Sequence, residues 1–386
     1  MSITITQTPA VVNLAQSPIP FTVNEDSAVK YNTAFQYNAD LYYWTGSLTN
    51  SGSEPNYILA KYPNQSQVGI FDVSRILNST LQELAIQNPS NTGFFAVEFY
   101  GQWLNGSNYV TGSRVRSQTY KYIDGYGIFQ EPIGQPVYEK TPHWPLMTDG
   151  PVTQSAFDFN YGYSSVYVGN AGTTQPTKLV YTTNVGSFDY PLSGSNTTSG
   201  QIAQYPIALQ SIATGSLIGV EWYSIRPYNN STPLGEGIKF EVVCNQKYPN
   251  VRIKWKNRYG GFDWYNFNMV NRESFSVNRS QYQPQLGSWT GTSLGYEGYD
   301  SSTLNYLVDA NQALQVNTNF LPESYNDIFK ELLVSDEIYW VYDEENSLVR
   351  PITINTSNIT FKTSVVDKLI QYTFDFSYGQ QYKLLL

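Results

Sequence analysis

The stretch "VRIKWKNRYGGFDWYNF", Val251–Phe267, gathers the side chains best suited to chemistry in this chain. Asp263 stands among Phe262, Trp264, Tyr265 and Phe267, and four basic residues, Arg252, Lys254, Lys256 and Arg258, lead up to it. A carboxylate beside aromatic faces suits a sugar: the rings stack on it and the carboxylate accepts hydrogen bonds from its hydroxyls. Glycoside hydrolysis would need a second carboxylate across the bond, and Glu273 and Glu297 are the sequence candidates. No spacing establishes such a pair. A chain with 33 Tyr, 19 Phe and 8 Trp also puts an aspartate beside aromatics by composition alone.

The plainer reading of the same stretch is a structural hairpin. Alternation puts Val251, Ile253 and Trp255 on one face and Arg252, Lys254 and Lys256 on the other. "NRYGG" supplies the turn, because glycine accepts the positive φ that a reversal needs. On the return strand Asp263 faces the basic stripe and balances it. The contact candidates, for a neighbouring subunit or a glycan, are Arg252, Lys254, Lys256, Arg258, Asp263 and Trp264. To these the aromatic C-terminal run adds Tyr372, Phe374 and Phe376. No residue is assigned a catalytic, cofactor or metal role.

Other reactive types are scarce. His143 is the only histidine and Cys244 the only cysteine, so a zinc site built from several His and Cys ligands is not expected. A triad would have to use His143, which lies in "KTPHWPLM" with no nucleophile elbow nearby. Cys244, in "KFEVVCNQ", reads as a buried strand thiol with no partner for an intramolecular disulfide. "YDEEN" (342–346) lacks the EF-hand calcium pattern and reads as an acidic turn. The Asn-X-Ser/Thr triplets at Asn64, Asn105, Asn196 and Asn358 follow from the abundance of those residues.

The elements that must position these side chains are strands. In "IQYTFDFSY", Ile370, Tyr372, Phe374, Phe376 and Tyr378 alternate with Gln371, Thr373, Asp375 and Ser377. "AFDFNYGYSSVYV" does the same, with Phe157, Phe159, Tyr161 and Tyr163 on one side. Such runs, separated by Gly, Asn, Ser and Pro turns, predict an all-β fold of tandem β-sandwich-like domains. Two stretches carry helical spacing instead. One follows Asp72 as N-cap and runs to about residue 86; the other starts at Ser324 with Asp327 in a capping box and ends near 334.

Length sets the division, since 386 residues suit two or three domains at about 150 residues each. The prolines at 132, 136, 142, 145 and 151 mark a stiff connector. The expected layout is an N-terminal β domain (1–128) with one helix, a connector (129–150), a central β-sandwich (151–235) and a C-terminal β domain (236–386) with one short helix. Residues 283–302, "QPQLGSWTGTSLGYEGYDSS", read as a long excursion, either a binding loop or an arm that touches another subunit.

Charge is uneven along the chain. Between Lys239 and Arg279 eight basic residues stand against three acidic ones, although the whole chain has a formal net charge of −9. Between Glu323 and Glu345 eight acidic residues face Lys330 alone. The basic segment lacks a nucleic-acid fold signature, and the acidic whole would repel a polyanion, so nucleic acid is not an expected partner. Complementary contacts between protein subunits are. The first basic residue is Lys30, which does not suit a secretory signal, and no apolar run reaches the roughly 18 residues of a membrane span. A soluble protein made in the cytoplasm is expected.

Three segments carry a family resemblance. "IKWKNRYGGFDWYNF" resembles a segment of the virion and tail-associated structural proteins of tailed bacteriophages, especially those of Bacteroidetes and marine hosts. "DIFKELLVSDEIYWVYDEENSLVRPITI" with the aromatic strand after it is similar to their C-terminal part, and "NLAQSPIPFTV" with "GIFDVSRIL" to their N-terminal part. Together these cover about half the chain. The resemblance implies a non-enzymatic component of the virion at the tail tip, baseplate, collar or fibre adaptor, without a cofactor. It would form a homo-oligomer, a ring or trimer, with other virion proteins as partners. A carbohydrate-binding appendage for host-surface glycans is the alternative, and a glycoside hydrolase the second alternative.

Overall fold

The computed structural model describes residues 3–32, 34–46, 54–81, 92–128, 136–137, 141–156, 163–168, 175–192, 201–207, 209, 218–243, 247–343, 348–364, 367, 369–379 and 382–385. It is an all-β protein with two short α-helices among these residues. The chain divides into two compact units. The first holds 1–244, 255–263 and 327–337; the second holds 245–254, 264–326 and 338–386.

The first unit begins with a sandwich. A three-stranded sheet (Ile3–Gln7, Pro20–Glu25, Val68–Asp72) faces a larger one ordered Val12–Leu14, Tyr120–Ile123, Thr92–Asn105, Gln36–Trp44, Tyr57–Lys61. Alternation works cleanly in Pro20–Glu25, where Phe21 and Val23 point inward and Thr22 and Asn24 do not. Phe21 meets Phe95 and Phe99 of the opposite sheet with ring centroids 6.3 and 5.3 Å apart. Phe71, Tyr37, Leu41, Tyr120 and Tyr122 complete one aromatic core.

Helix α1 (Ser74–Thr80) follows the small sheet and buries Leu77. Asp72 acts from one place before the N-cap Val73: its carboxylate accepts from the N–H of Ser74 and of Ile19, both at 3.0 Å. Near the end of the helix the Ser79 and Thr80 hydroxyls bond back to Ile76 and Leu77 carbonyls, and the helix stops at Thr80. The expected extension over 82–86 lies outside the described residues.

A second group of strands completes the first unit. Its main sheet runs Thr153–Ala156, Ile238–Val242, Trp222–Asn229, Lys178–Thr183, Ser187–Pro191, and Tyr163–Val168 pairs separately with Gln201–Pro206. Tyr181 donates to the Pro206 carbonyl at 2.5 Å, and Tyr190 meets Tyr205 edge-on, so the two sheets share a core. Ile238–Val242 pairs with both Trp222–Asn229 and Thr153–Ala156. The sheet therefore includes Ile238–Val242, beyond residue 235, and Thr153–Ala156, just after the expected connector, is its edge strand. Of "AFDFNYGYSSVYV", residues 157–162 lie outside the described residues, as does Cys244.

The second unit is built on one eight-stranded sheet. Its order is Phe262–Phe267, Val251–Lys256, Ile338–Asp343, Leu348–Ile354, Thr373–Tyr378, Leu304–Asn317, Arg272–Tyr282, with Tyr382–Leu385 added to Leu304–Asn317. Ile370, Tyr372, Phe374, Phe376 and Tyr378 are all buried, as alternation predicts. Helix α2 (Asn326–Val334), which from Asp327 on belongs to the first unit, falls where its spacing placed it. A 3-10 turn, Glu323–Tyr325, precedes it in place of the expected Ser324 capping box. Leu304–Asn317 and Arg272–Tyr282 form a long ribbon whose far end carries a small sheet, Ser288–Trp289 with Leu294–Gly295.

Candidate functional site: the buried hairpin tip

The tip of the Val251–Phe267 hairpin, residues 255–263, belongs to the first unit. Asn257 organises the turn. Its backbone N–H bonds the Gly261 carbonyl at 2.9 Å and its carbonyl accepts from Gly260 at 3.1 Å. Its side-chain oxygen accepts from the N–H groups of Tyr259 and Gly261 at 3.1 and 3.0 Å. Gly260 has φ +77°, and a Cβ there would come within 2.1 Å of the Asp124 carbonyl oxygen. At Gly261 a Cβ would lie 2.5 Å from that of Ser165, whose hydroxyl accepts from Phe262 N–H at 2.7 Å. Both glycines are required by close approach, the first also by its left-handed backbone.

Around this turn lies a network of charges. Arg258 Nε donates to Asp149 at 2.5 Å, its Nη2 bonds Tyr259 Oη at 2.6 Å, and its backbone N–H reaches Glu331 of α2 at 3.2 Å. Tyr259 Oη donates to the other Asp149 oxygen at 2.7 Å. Asn257 Nδ2 donates to the Met147 carbonyl at 2.6 Å and to Asp263 at 3.2 Å. Beside it, Lys256 Nζ bonds Asp124 at 3.0 Å and Asp336 at 2.8 Å, with Glu337 at 3.7 Å. The Tyr259 ring is fully buried among Val12, Leu14, Ile123, Trp144, Met147, Tyr167 and Ile202. The tip thus joins the edge of the first sandwich to the paired strands Tyr163–Val168 and Gln201–Pro206.

Burial dominates the electrostatics. It pushes the Asp263 carboxyl up to about 7; Asp149 adds to the rise, while hydrogen bonds from Thr148 and Asn257 oppose it. Burial likewise raises Glu331 well above the usual carboxylate range, reinforced by Asp263 and Asp149 and opposed by Arg258. Burial alone would lower Lys256, but Asp336 and Asp124 offset that and the ammonium is held above its ordinary value. One guanidinium among three carboxyls leaves acid in excess, and the carboxyls' mutual repulsion adds to the rise that burial causes. Perturbed groups of this kind occur both in active sites and in structural ion-pair networks. Here Asp263, Glu331, Arg258 and Tyr259 are all buried.

Several expectations are corrected by this arrangement. Of the expected basic stripe, Arg252, Lys254 and Lys256, the first and last are buried, as is Arg258 of the turn, so the stripe is not open. Arg252 Nε bonds Asn266 at 2.7 Å and its guanidinium covers the Trp264 ring. Asp263 balances no stripe; it sits inside the tip. Complementarity between the basic and acidic segments, expected between subunits, is partly satisfied within one chain by Lys256 with Asp336 and Glu337 and by Arg258 with Glu331. Tyr372, Phe374 and Phe376 are interior, so they offer no contact surface. Thr373–Tyr378 has a strand on each side, which leaves it no open edge. Lys254 and Trp264 are half-buried.

His143 is pinned by backbone: Nδ1 lies 3.1 Å from the Glu236 carbonyl and Nε2 2.9 Å from that of Gly150. The ring thus sits between two backbone carbonyls, to one of which the neutral imidazole donates. Sequence reasoning missed Asp124, Asp149, Asn257, Tyr259 and Glu331 as members of the tip network. Only Asn257, by its place before a Gly-Gly turn, carried a signal. Among the described residues no three His, Cys, Asp or Glu side chains are grouped as metal ligands, and no helix is long and apolar enough to cross a membrane. No protein-family model matches the chain, and no curated protein matches its sequence.

Proposed function

We propose that this chain is a structural component of a tailed-phage virion, at the tail tip, baseplate, collar or fibre adaptor, and that it works through contacts between subunits. The observation that carries the reading is the ribbon of the second unit. Nearly every residue of Arg272–Tyr282 is exposed, and Phe275, Tyr282, Trp289, Leu294, Tyr296, Tyr299 and Tyr306 add a row of exposed large apolar side chains. Exposed apolar side chains in this number suit an interaction surface. The buried tip supports the same reading from the other side, because its carboxyls are committed to holding the fold.

The test is incorporation. Purified particles should contain the chain, and shortening residues 283–303 to a tight turn should remove it from them while the isolated protein stays folded. Absence of the native chain from particles overturns the reading. A second reading has its own observation: Trp289, Tyr296 and Tyr299 cluster in sequence with Glu297 and Asp300 at the exposed end of the ribbon. Aromatic faces with nearby carboxylates suit a host-surface glycan. Saturable binding on a carbohydrate array, lost on Trp289→Ala, would put that reading first.

A further inference from the structure

We propose that the outer ribbon strand Arg272–Tyr282 pairs antiparallel with the same strand of a second copy, across a two-fold axis at Ser276. Among the described residues this strand has a hydrogen-bonded neighbour on one side only, Leu304–Asn317. An exposed edge of eleven residues is a template for another strand. Its sequence selects which strand. A two-fold axis normal to the sheet keeps each face on its own side, so only registers that pair residues of one face are open.

With the axis at Ser276, Glu273 falls opposite Arg279 of the second copy, and Arg279 opposite its Glu273. Phe275 falls opposite Val277 of the second copy, and Val277 opposite its Phe275. Ser274 meets Asn278, and Arg272 meets Ser280, each twice. Moving the axis to Phe275 or Val277 puts Glu273 opposite a valine or a glutamine and loses both ion pairs. Opposite charges directly across a strand pair stabilise it and like charges destabilise it.

The apolar side chains are placed to join as well. Glu273, Phe275, Val277 and Arg279 lie opposite Leu314, Gln312, Ala310 and Val308 in the chain's own ribbon. Leu314 and Ala310 are buried, whereas Phe275 is 60% exposed. Pairing would continue the apolar strip across the axis and enclose two Phe275 and two Val277 side chains between the ion pairs. Glu273 is already held in position, accepting from Gln312 Nε2 at 3.0 Å and Tyr378 Oη at 3.4 Å.

The proposal deepens the assembly reading and rests on it only in taking the ribbon as a contact between chains. Light scattering and sedimentation of the full chain should show a dimer that weakens as salt is raised. Glu273→Arg alone and Arg279→Glu alone should each weaken it roughly tenfold or more, since each places like charges opposite one another twice. An equimolar mixture of the two variants should restore dimers, because both pairs become complementary between the unlike chains. In a Cys244→Ser background, Ser276→Cys should form an intermolecular disulfide on oxidation, since directly opposed residues lie within its reach.

A native chain that stays monomeric at about 100 μM, well above the Kd of a weak dimer, overturns the proposal. So does a mixture that fails to dimerise while each variant melts like the native chain. If the ribbon is needed for incorporation into particles but the dimer does not form, this inference fails and the assembly reading stands. If the mixed dimer forms but particles lack the protein, the reverse holds.

Discussion

Two hairpins of this chain are built from the same materials and end in opposite situations. The Val251–Phe267 hairpin and the ribbon Arg272–Asn317 both mix aromatics with Arg, Asp and Asn. The tip of the first is buried, with arginine, lysine, tyrosine and carboxyls bonded to one another at 2.5 to 3.2 Å. The second leaves Phe275, Trp289 and Tyr299 in water at 60%, 68% and 84% exposure. Buried charge tolerates few neighbours, because every partner must be present and aligned. Exposed aromatic surface leaves the choice of partner open. The first hairpin serves the interior of its own chain, and the second is free to serve another.

The strongest way to break this contrast is to disarm the tip. Arg258→Met removes the cation facing Asp149 and Glu331 and leaves a half-buried and a buried carboxyl without it. A broken buried pair costs about 3–5 kcal/mol, so chemical denaturation should show the first unit destabilised by that order. A loss under about 1 kcal/mol, typical of an exposed pair, would mean that the tip is as dispensable as the ribbon. Gly260→Ala comes next. Its positive φ and the 2.1 Å approach to the Asp124 carbonyl should cost about 1–3 kcal/mol, whereas Gly291→Ala in the ribbon's end, with φ +97° but open space around it, should cost less.

The third prediction uses protons. Asp263 and Glu331 have folded-state values above their unfolded ones, so the folded chain binds more protons wherever the two states differ. Their contribution is fully present below the ordinary carboxylate range and is lost as pH rises through the folded values. For Asp263 that window runs from the ordinary aspartate value to about 7. Melting temperature should fall across it, and Asp263→Asn should flatten the fall while changing stability at pH 5 by about 1 kcal/mol or less. A melting temperature that rises steadily from pH 5 to pH 8 in the native chain, unaltered by Asp263→Asn, would show that the carboxyl is solvated.

The two hairpins also show what the sequence does and does not carry. Strand identity is local: "IQYTFDFSY" declares its buried face by alternation, and Ile370, Tyr372, Phe374, Phe376 and Tyr378 are inside as that pattern requires. The turn is local too, since "NRYGG" needs only Asn257 and two glycines. Burial of the opposite face is not local. Val251–Lys256 alternates as neatly as any strand, yet Arg252 and Lys256 are interior because other segments cover them. Asp149 and Glu331, distant in sequence, complete the site around Arg258. Opposite charge between the 239–279 and 323–345 segments was legible, but whether it acts within one chain or between two depended on topology. Residues 283–302 at the ribbon's end announced themselves as an excursion, while the long exposed edge of Arg272–Tyr282 did not, because edge and interior strands share one alternation.

The smallest expected effect on stability carries the most weight for function. Phe275→Ala, Trp289→Ala and Tyr299→Ala each remove a side chain that is mostly in water, so each should change folding stability by no more than about 0.5 kcal/mol. If the ribbon is a contact, the same substitutions should lower incorporation into particles, in proportion to the apolar area each supplies to the assembled interface at about 25 cal/mol per Å². Comparison within the set separates two uses of the ribbon. Phe275 lies in the paired strand and Trp289 and Tyr299 lie near its far end. Loss from Phe275→Ala alone points to strand pairing, and loss from the two distal substitutions points to a pocket or glycan met by the end of the ribbon. Melting temperatures lowered by several degrees, measured on the isolated chain, would instead mean that these side chains are packed at home. The contrast between the two hairpins would then fail at its exposed half.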